Sequence, residues 1–209
     1  MGSQRLSRYY FRHVLSNDNL FVCPLIAGVV HRTFLGPFVI SMFSKPFSHL
    51  IQSDDKFYVQ IISRIALLLS VMLAFSVFGR SVQTRYGPTT RRALSVLTLT
   101  QFHFLFYSSR CLPNTFALIS VMIALAKWLE KKWNHYIFVV AFTVLVLRIE
   151  TIILFFWITA YEVFVTRELS VWRILKVGIA SGFFSIVFSI AFDSYLWGKP
   201  VWPEGQPFF

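Results

Sequence analysis

Apolar residues along this chain gather into runs of membrane length, separated by short polar corners. Six runs approach the roughly 20 residues that an α-helix needs to cross a bilayer: 58–79, 93–108, 113–130, 135–148, 150–166 and 173–192. An earlier run, 34–51, holds Gly36, Pro37 and Pro46. These interrupt helical hydrogen bonding, so this run is a poorer spanning candidate that lies along the interface or re-enters. A first run at 20–30, with Pro24 and Gly28, is too short to span. The pattern predicts an all-α, polytopic transmembrane helical bundle of about six or seven membrane helices. Two runs meet at a polar corner, Tyr107, Ser108, Ser109, Arg110, Cys111, Leu112, Pro113 and Asn114. A guanidinium between two such segments costs several kcal/mol to desolvate unless it meets an anion, which marks Arg110 as a candidate site residue.

Composition narrows the class. Of 209 residues 56% are hydrophobic and only 14% charged, with mean hydropathy +0.63; a soluble domain carries about 25% charged residues. The 20 Lys and Arg against 9 Asp and Glu suggest a nucleic-acid partner at first glance. Yet the basic residues sit between apolar segments, where they set orientation, so membrane lipid and not nucleic acid is the expected surrounding partner. Cys23 and Cys111 form no motif, and His103, in an aromatic run, reads as a packed or interfacial residue rather than a metal ligand. There is no phosphate loop, no dinucleotide fingerprint and no H-E-x-x-H, so ATP-driven transport and zinc proteolysis have no residue support. Arg5, Arg8 and Arg12 before a short apolar run resemble a signal peptide only faintly, because a polar break follows and no clear cleavage site appears.

The charges sort by face. Arg80, Arg85, Arg91 and Arg92 fill one linker; Lys127, Lys131 and Lys132 border the second after it; Arg167, Arg173 and Lys176 flank the second after that. The positive-inside rule puts these three on the cytosolic side. The corner 109–114, the pair Arg148 and Glu150, and the stretch 193–204 then share the opposite face. Arg148 and Glu150, two residues apart, do not share a helix face, so a local break or pairing with other segments is expected over a helical ion pair. A charged hinge that satisfies only itself is the bland reading of that pair. Asp193 ends the last long run before Trp197 and Trp202, which suit an aromatic belt, and an arginine partner fixing two helices would explain it equally well. Asn114 reads as the cap of a helix beginning near Pro113, and Ser109 as local turn chemistry, since no histidine is placed to activate it.

Four blocks in order carry a resemblance: GVVHRTFLGP at 28–37, QFHFLFYSSRCLPN at 101–114, the Arg148-Ile149-Glu150 hinge, and DSYLWGKPVWPEG at 193–205. Together they resemble the GT-C mannosyltransferases that use dolichyl-phosphate-mannose, most closely the branch acting on lipid-linked oligosaccharide in the endoplasmic reticulum. The related GPI-anchor mannosyltransferases share the corner less closely. The resemblance implies a GT-C-like helical fold and a multi-pass protein with a luminal active face. It implies a dolichyl-phosphate-mannose donor, a lipid-linked oligosaccharide acceptor, an α-1,6 linkage and no cofactor or metal. It covers 28–205, leaving 1–27 an unmatched segment and 206–209 a short end. Family members carry adjacent acidic residues in an early luminal loop and further spans beyond this stretch, so the resemblance implies a partial chain. Asp18, Asp54 and Asp55 do not stand in that loop's context.

An inverting displacement through an oxocarbenium-like transition state needs a carboxylate to take the acceptor proton and cations to hold the departing phosphate. Arg110, Arg148 and Arg32 are the donor phosphate-binding candidates, each a planar fork that lysine cannot reproduce. Glu150 and Asp193 are the candidate catalytic-site carboxylates, as orienting or acceptor-binding groups, because the resemblance puts the base itself in the acidic loop; a catalytic role for Asp193 stays open. Glu204 and Asn114 are the substrate-binding candidates. Two other readings stay open here: a transporter whose path is lined by Arg110, Arg148 and Glu150, and a truncated partner that binds without turnover. Charges at span ends rather than mid-depth weigh against the first, and the absent acidic loop favours the second.

Overall fold

The computed structural model describes residues 56–110 and 112–197, with Leu35, Gly36, Phe38, Val39 and Met42 before them. Among these residues every regular element is helical. α1 (Lys56–Tyr86) is followed by α2 (Pro88–Thr100), α3 (Phe102–Ser108), α4 (Pro113–Leu129) and α5 (Trp133–Phe142). α5 runs on as a π-turn (Thr143–Leu147); a 3₁₀ turn (Ile149–Thr151), α6 (Ile152–Phe164) and α7 (Val171–Trp197) complete the order.

Among the described residues two stretches are long and apolar enough to cross a membrane, Gln60–Tyr86 of 27 residues and Val171–Tyr195 of 25. At 1.5 Å per residue they reach about 40 Å and 37 Å, beyond the roughly 30 Å hydrocarbon thickness. Only 22% and 17% of their most apolar windows are buried within the protein, so their outer faces, Leu69 and Leu73 on α1 and Ile179 and Phe183 on α7, are left for lipid or further helices. α3 and α4, bent by 110° across the polar corner, count as a third span if taken together.

The other expected runs come in shorter pieces. The run at 93–108 breaks at Gln101, whose backbone is extended (φ −78°, ψ 105°). Just before it the Thr100 hydroxyl donates to the Val96 and Leu97 carbonyls at 2.9 and 3.0 Å, competing with the helical ladder as threonine does. The runs at 135–148 and 150–166 are interrupted by the extended Arg148 (φ −157°, ψ 110°) and become α5 with its π-turn and a 13-residue α6.

α1 packs most extensively on α4, α4 on α5, and α5 on α7. The core gathers Ala124, Trp133, Tyr136, Ile137, Val144, Phe155 and Leu169, drawn from α4, α5, the π-turn, α6 and the α6–α7 connection. Ala124 and Ala126 have no exposed surface, and small residues of this kind let membrane helices approach closely. Phe138 meets Phe184 and Phe142 meets Phe188, with ring centroids 6.0 and 6.5 Å apart. Both partners advance one turn together, so α5 and α7 run in the same direction. Hence Arg148, beyond the end of α5, and Asp193, near the end of α7, share one end of the bundle.

Candidate functional site

Arg148 is the junction of the site. The π-turn carries the chain into it through a bond from the Arg148 amide to the Thr143 carbonyl at 2.9 Å, and such single π-turns recur at functional sites. Its extended backbone ends the α5 helix and lets the side chain point to two neighbours. Nη1 donates to Glu150 Oε1 at 3.2 Å, and Nη2 donates to Asn114 Oδ1 in the first turn of α4. The Thr151 hydroxyl donates to the Arg148 carbonyl at 2.7 Å, closing the hinge. The Arg148 side chain is 23% exposed and Glu150 74%, so the guanidinium is half-sheltered while its carboxylate partner faces outward. Arg148 Nε is buried and has no hydrogen-bond partner among the described residues.

The hinge at Arg148 and Glu150 is thus broken, as expected, and Arg148 reaches another segment. Asn114 corrects the sequence reading. It does not cap α4: the cap position is Leu112, with no side-chain capping bond, and the Asn114 amide oxygen is taken by Arg148 instead. Pro113 does open α4, and the Ser109 hydroxyl donates to the Phe106 carbonyl at 3.1 Å, a turn bond as expected. The corner is tied further by the Thr115 hydroxyl donating to the Tyr107 carbonyl at 3.2 Å.

Arg110 stands at the same corner but outside this hydrogen-bonded cluster. Its guanidinium lies 4.2 Å from the Phe106 ring centroid, a cation–π contact, and it makes no ion pair among the described residues. Asp193 has no exposed surface and accepts a hydrogen bond from Ser189 at 3.1 Å. Phe192, beside it, meets Phe38 with centroids 5.2 Å apart. Gly36 lies so near Phe116 that a Cβ there would come within 2.8 Å of the ring. Gly36 therefore lies against the first turn of α4, and Phe38 against the end of α7. Arg32 and Glu204 lie outside the described residues.

The basic linkers meet at the opposite end. Glu130, after α4, takes Lys132 at 2.9 Å, Lys127 at 3.0 Å and the Ser81 hydroxyl at 2.9 Å. The Lys132 ammonium leads the groups that hold its carboxyl down at about 2, against a partial burial that pushes upward. Lys131 pairs with Glu168 there as well. Sequence reasoning passed over Glu162, buried on α6 at this end, which accepts from Trp128 Nε1 at 2.8 Å and from the Thr166 hydroxyl. A lone glutamate inside an apolar run was the available signal. The π-turn has no sequence signal, since Thr143 to Leu147 reads as ordinary apolar helix.

The described residues thus form a helical membrane-type protein with a guanidinium, an amide and a carboxylate joined at one end. The chain belongs to the Alg9-like mannosyltransferase family, whose model matches residues 27–209. It is 36% identical over 181 residues to the Dol-P-Man:Man(7)GlcNAc(2)-PP-Dol alpha-1,6-mannosyltransferase of Drosophila melanogaster, a match covering 86% of this chain and 26% of that protein. The enzyme of the same description from Arabidopsis thaliana is 31% identical over 202 residues, covering 96% of this chain and 40% of that protein. That of Saccharomyces cerevisiae is 29% identical over 205 residues, covering 87% and 37%. The chain thus spans 26% to 40% of the length of these three relatives. No solved structure matches it.

Proposed function

We propose that this chain is the part of a dolichyl-phosphate-mannose-dependent mannosyltransferase that holds the donor phosphate. Its acceptor is a lipid-linked oligosaccharide and its linkage α-1,6, as in the relatives it resembles. The enzyme works in the endoplasmic reticulum membrane, as a multi-pass protein with this end of the bundle facing the lumen. The observation that carries the reading is the Arg148 guanidinium, half-sheltered and held by Asn114 and Glu150 at the end of the bundle away from the basic linkers.

In the reaction the acceptor hydroxyl oxygen bonds to the anomeric carbon of mannose. The bond from that carbon to the phosphate oxygen breaks, dolichyl phosphate departs with the electron pair, and a carboxylate takes the hydroxyl proton. Charge develops on the departing phosphate, and a fixed guanidinium stabilises it most where water is excluded. Arg148 is partly sheltered from water; Arg110, exposed at the same corner, is the second cation, and Arg32 the third. Glu150, exposed beside Arg148, orients the acceptor hydroxyl. Asp193, wholly buried on α7, acts as a positioning carboxylate in the wall. Asn114 acts on the donor through Arg148, and Glu204 contacts the acceptor. The polyprenyl tail lies along the outward apolar faces.

Arg148→Ala in the full-length enzyme is expected to abolish mannose transfer from dolichyl-phosphate-mannose while membrane insertion, read by glycosylation-site mapping, stays intact. Normal transfer by that variant removes Arg148 from the mechanism.

A further inference from the structure

At the basic end a pocket of about 510 Å³ opens between the end of α1, the end of α4 and the second half of α6. It lies at the opposite end of the bundle from Arg148. Its lining is of two kinds. Tyr86, Trp157 and Tyr161 present apolar rings that are 59%, 68% and 51% exposed, and Arg85 and Lys131 bring positive charge.

The acidic groups in the lining are already occupied. Glu162 is buried, with Trp128 Nε1 on one carboxylate oxygen at 2.8 Å and the Thr166 hydroxyl on the other. Glu168 is taken by Lys131. That leaves Arg85, an exposed residue with no side-chain hydrogen bond and no ion pair among the described residues. It ends α1, whose outer face is a run of exposed Ile65, Leu69 and Leu73. The lining has the composition of a membrane interface, where tyrosine and tryptophan rings and arginine side chains settle. Exposed Arg80, nearby in the sequence, adds to the positive field.

We propose that this pocket binds a membrane lipid with an anionic phosphate headgroup. The phosphate is held by Arg85 and the glycerol and upper acyl region lies against Tyr86, Trp157 and Tyr161. An arginine fork suits a phosphate through paired N–H donors, and aromatic rings at this depth give the chains an apolar wall. An aromatic belt alone has no headgroup preference, so the two accounts separate by experiment.

Purified protein is reconstituted into phosphatidylcholine vesicles containing a small fraction of brominated phosphatidic acid or, in parallel, brominated phosphatidylcholine, and tryptophan emission is recorded. Trp128 and Trp157 line the pocket, so bound brominated lipid quenches them. The expected result is stronger quenching by the acidic lipid, with that excess lost in Arg85→Gln and kept in Arg92→Gln. Equal quenching by both lipids, or an excess that survives in Arg85→Gln, overturns the proposal. Native mass spectrometry of the same two variants supplies a second reading: acidic phospholipid stays with Arg92→Gln and leaves Arg85→Gln.

Discussion

Arg148 and Asn114, 34 positions apart, are joined by a hydrogen bond from the guanidinium Nη2 to the amide Oδ1. The bond links the hinge after α5 to the first turn of α4 and fixes the plane of the fork, with Glu150 on its other arm at 3.2 Å. A guanidinium so held needs little reorganisation when a phosphate arrives, which is the advantage of a preset electrostatic site.

Asn114→Leu in the full-length enzyme keeps the bulk of the side chain but removes the acceptor. Loss of one hydrogen bond to a charged group is worth about 1.5–3 kcal/mol, so transfer should fall about ten- to hundredfold at 1.36 kcal/mol per decade. Arg148→Lys should fall further, because an ammonium cannot reproduce the fork. Steady-state assays on both variants check this; equal activities for Asn114→Leu and wild type count against the arrangement.

The π-turn over Thr143–Leu147 inserts one residue into the ladder ahead of Arg148. Deleting Val146 takes out that extra residue and closes the ladder as ordinary α-helix, which removes the i→i−5 bond that carries the chain into Arg148. Transfer is expected to be lost while helical content by circular dichroism is kept. Undiminished transfer would show that the turn does not aim the guanidinium.

Glu130 supplies the pH dependence. Its carboxyl is held at about 2 in the folded protein against an ordinary value of 4.5. A depressed pKa contributes stability that is fully present above the ordinary value and is lost as pH falls toward the folded one. Thermal midpoints in detergent should therefore decline between pH 4.5 and about 2, and Glu130→Gln should remove that part of the slope while lowering stability at neutral pH. A wild-type slope unchanged in the variant would assign the decline to other carboxylates.

Trp128→Phe keeps the ring but leaves one oxygen of the buried Glu162 without its donor. Leaving a buried polar group unsatisfied costs about 1–3 kcal/mol, visible as a lower melting midpoint. Pairing Trp128→Phe with Glu162→Leu should recover much of the loss, because removing both partners leaves nothing unpaired. A double variant no more stable than Trp128→Phe alone counts against that bond.

Gly87 joins α1 to α2 with φ 92° and ψ 169°, a region open to glycine and costly for other residues. Nothing lies within 4 Å of a Cβ built there, so Gly87→Ala tests backbone strain without a clash. The expected loss is about 1–3 kcal/mol, read from chemical denaturation in detergent.

Run length and charge spacing, both one-dimensional properties, already determined an all-helical membrane protein, the gathering of Arg85 and Lys131 at one end, and a break at Arg148 and Glu150. Those inferences need no knowledge of neighbours, because the bilayer acts on each segment by itself. The tertiary structure decided what depends on neighbours. It gave the Asn114 amide to Arg148 instead of to the helix start and set Arg110 on the Phe106 ring. It bonded the glutamate at position 162 to Trp128 and laid α5 beside α7 so that Arg148 and Asp193 share an end. Each of these is a contact between segments far apart in the chain, and a hydrogen bond exists only when packing brings a donor within about 3 Å of its acceptor. Hydropathy has no means of expressing that distance.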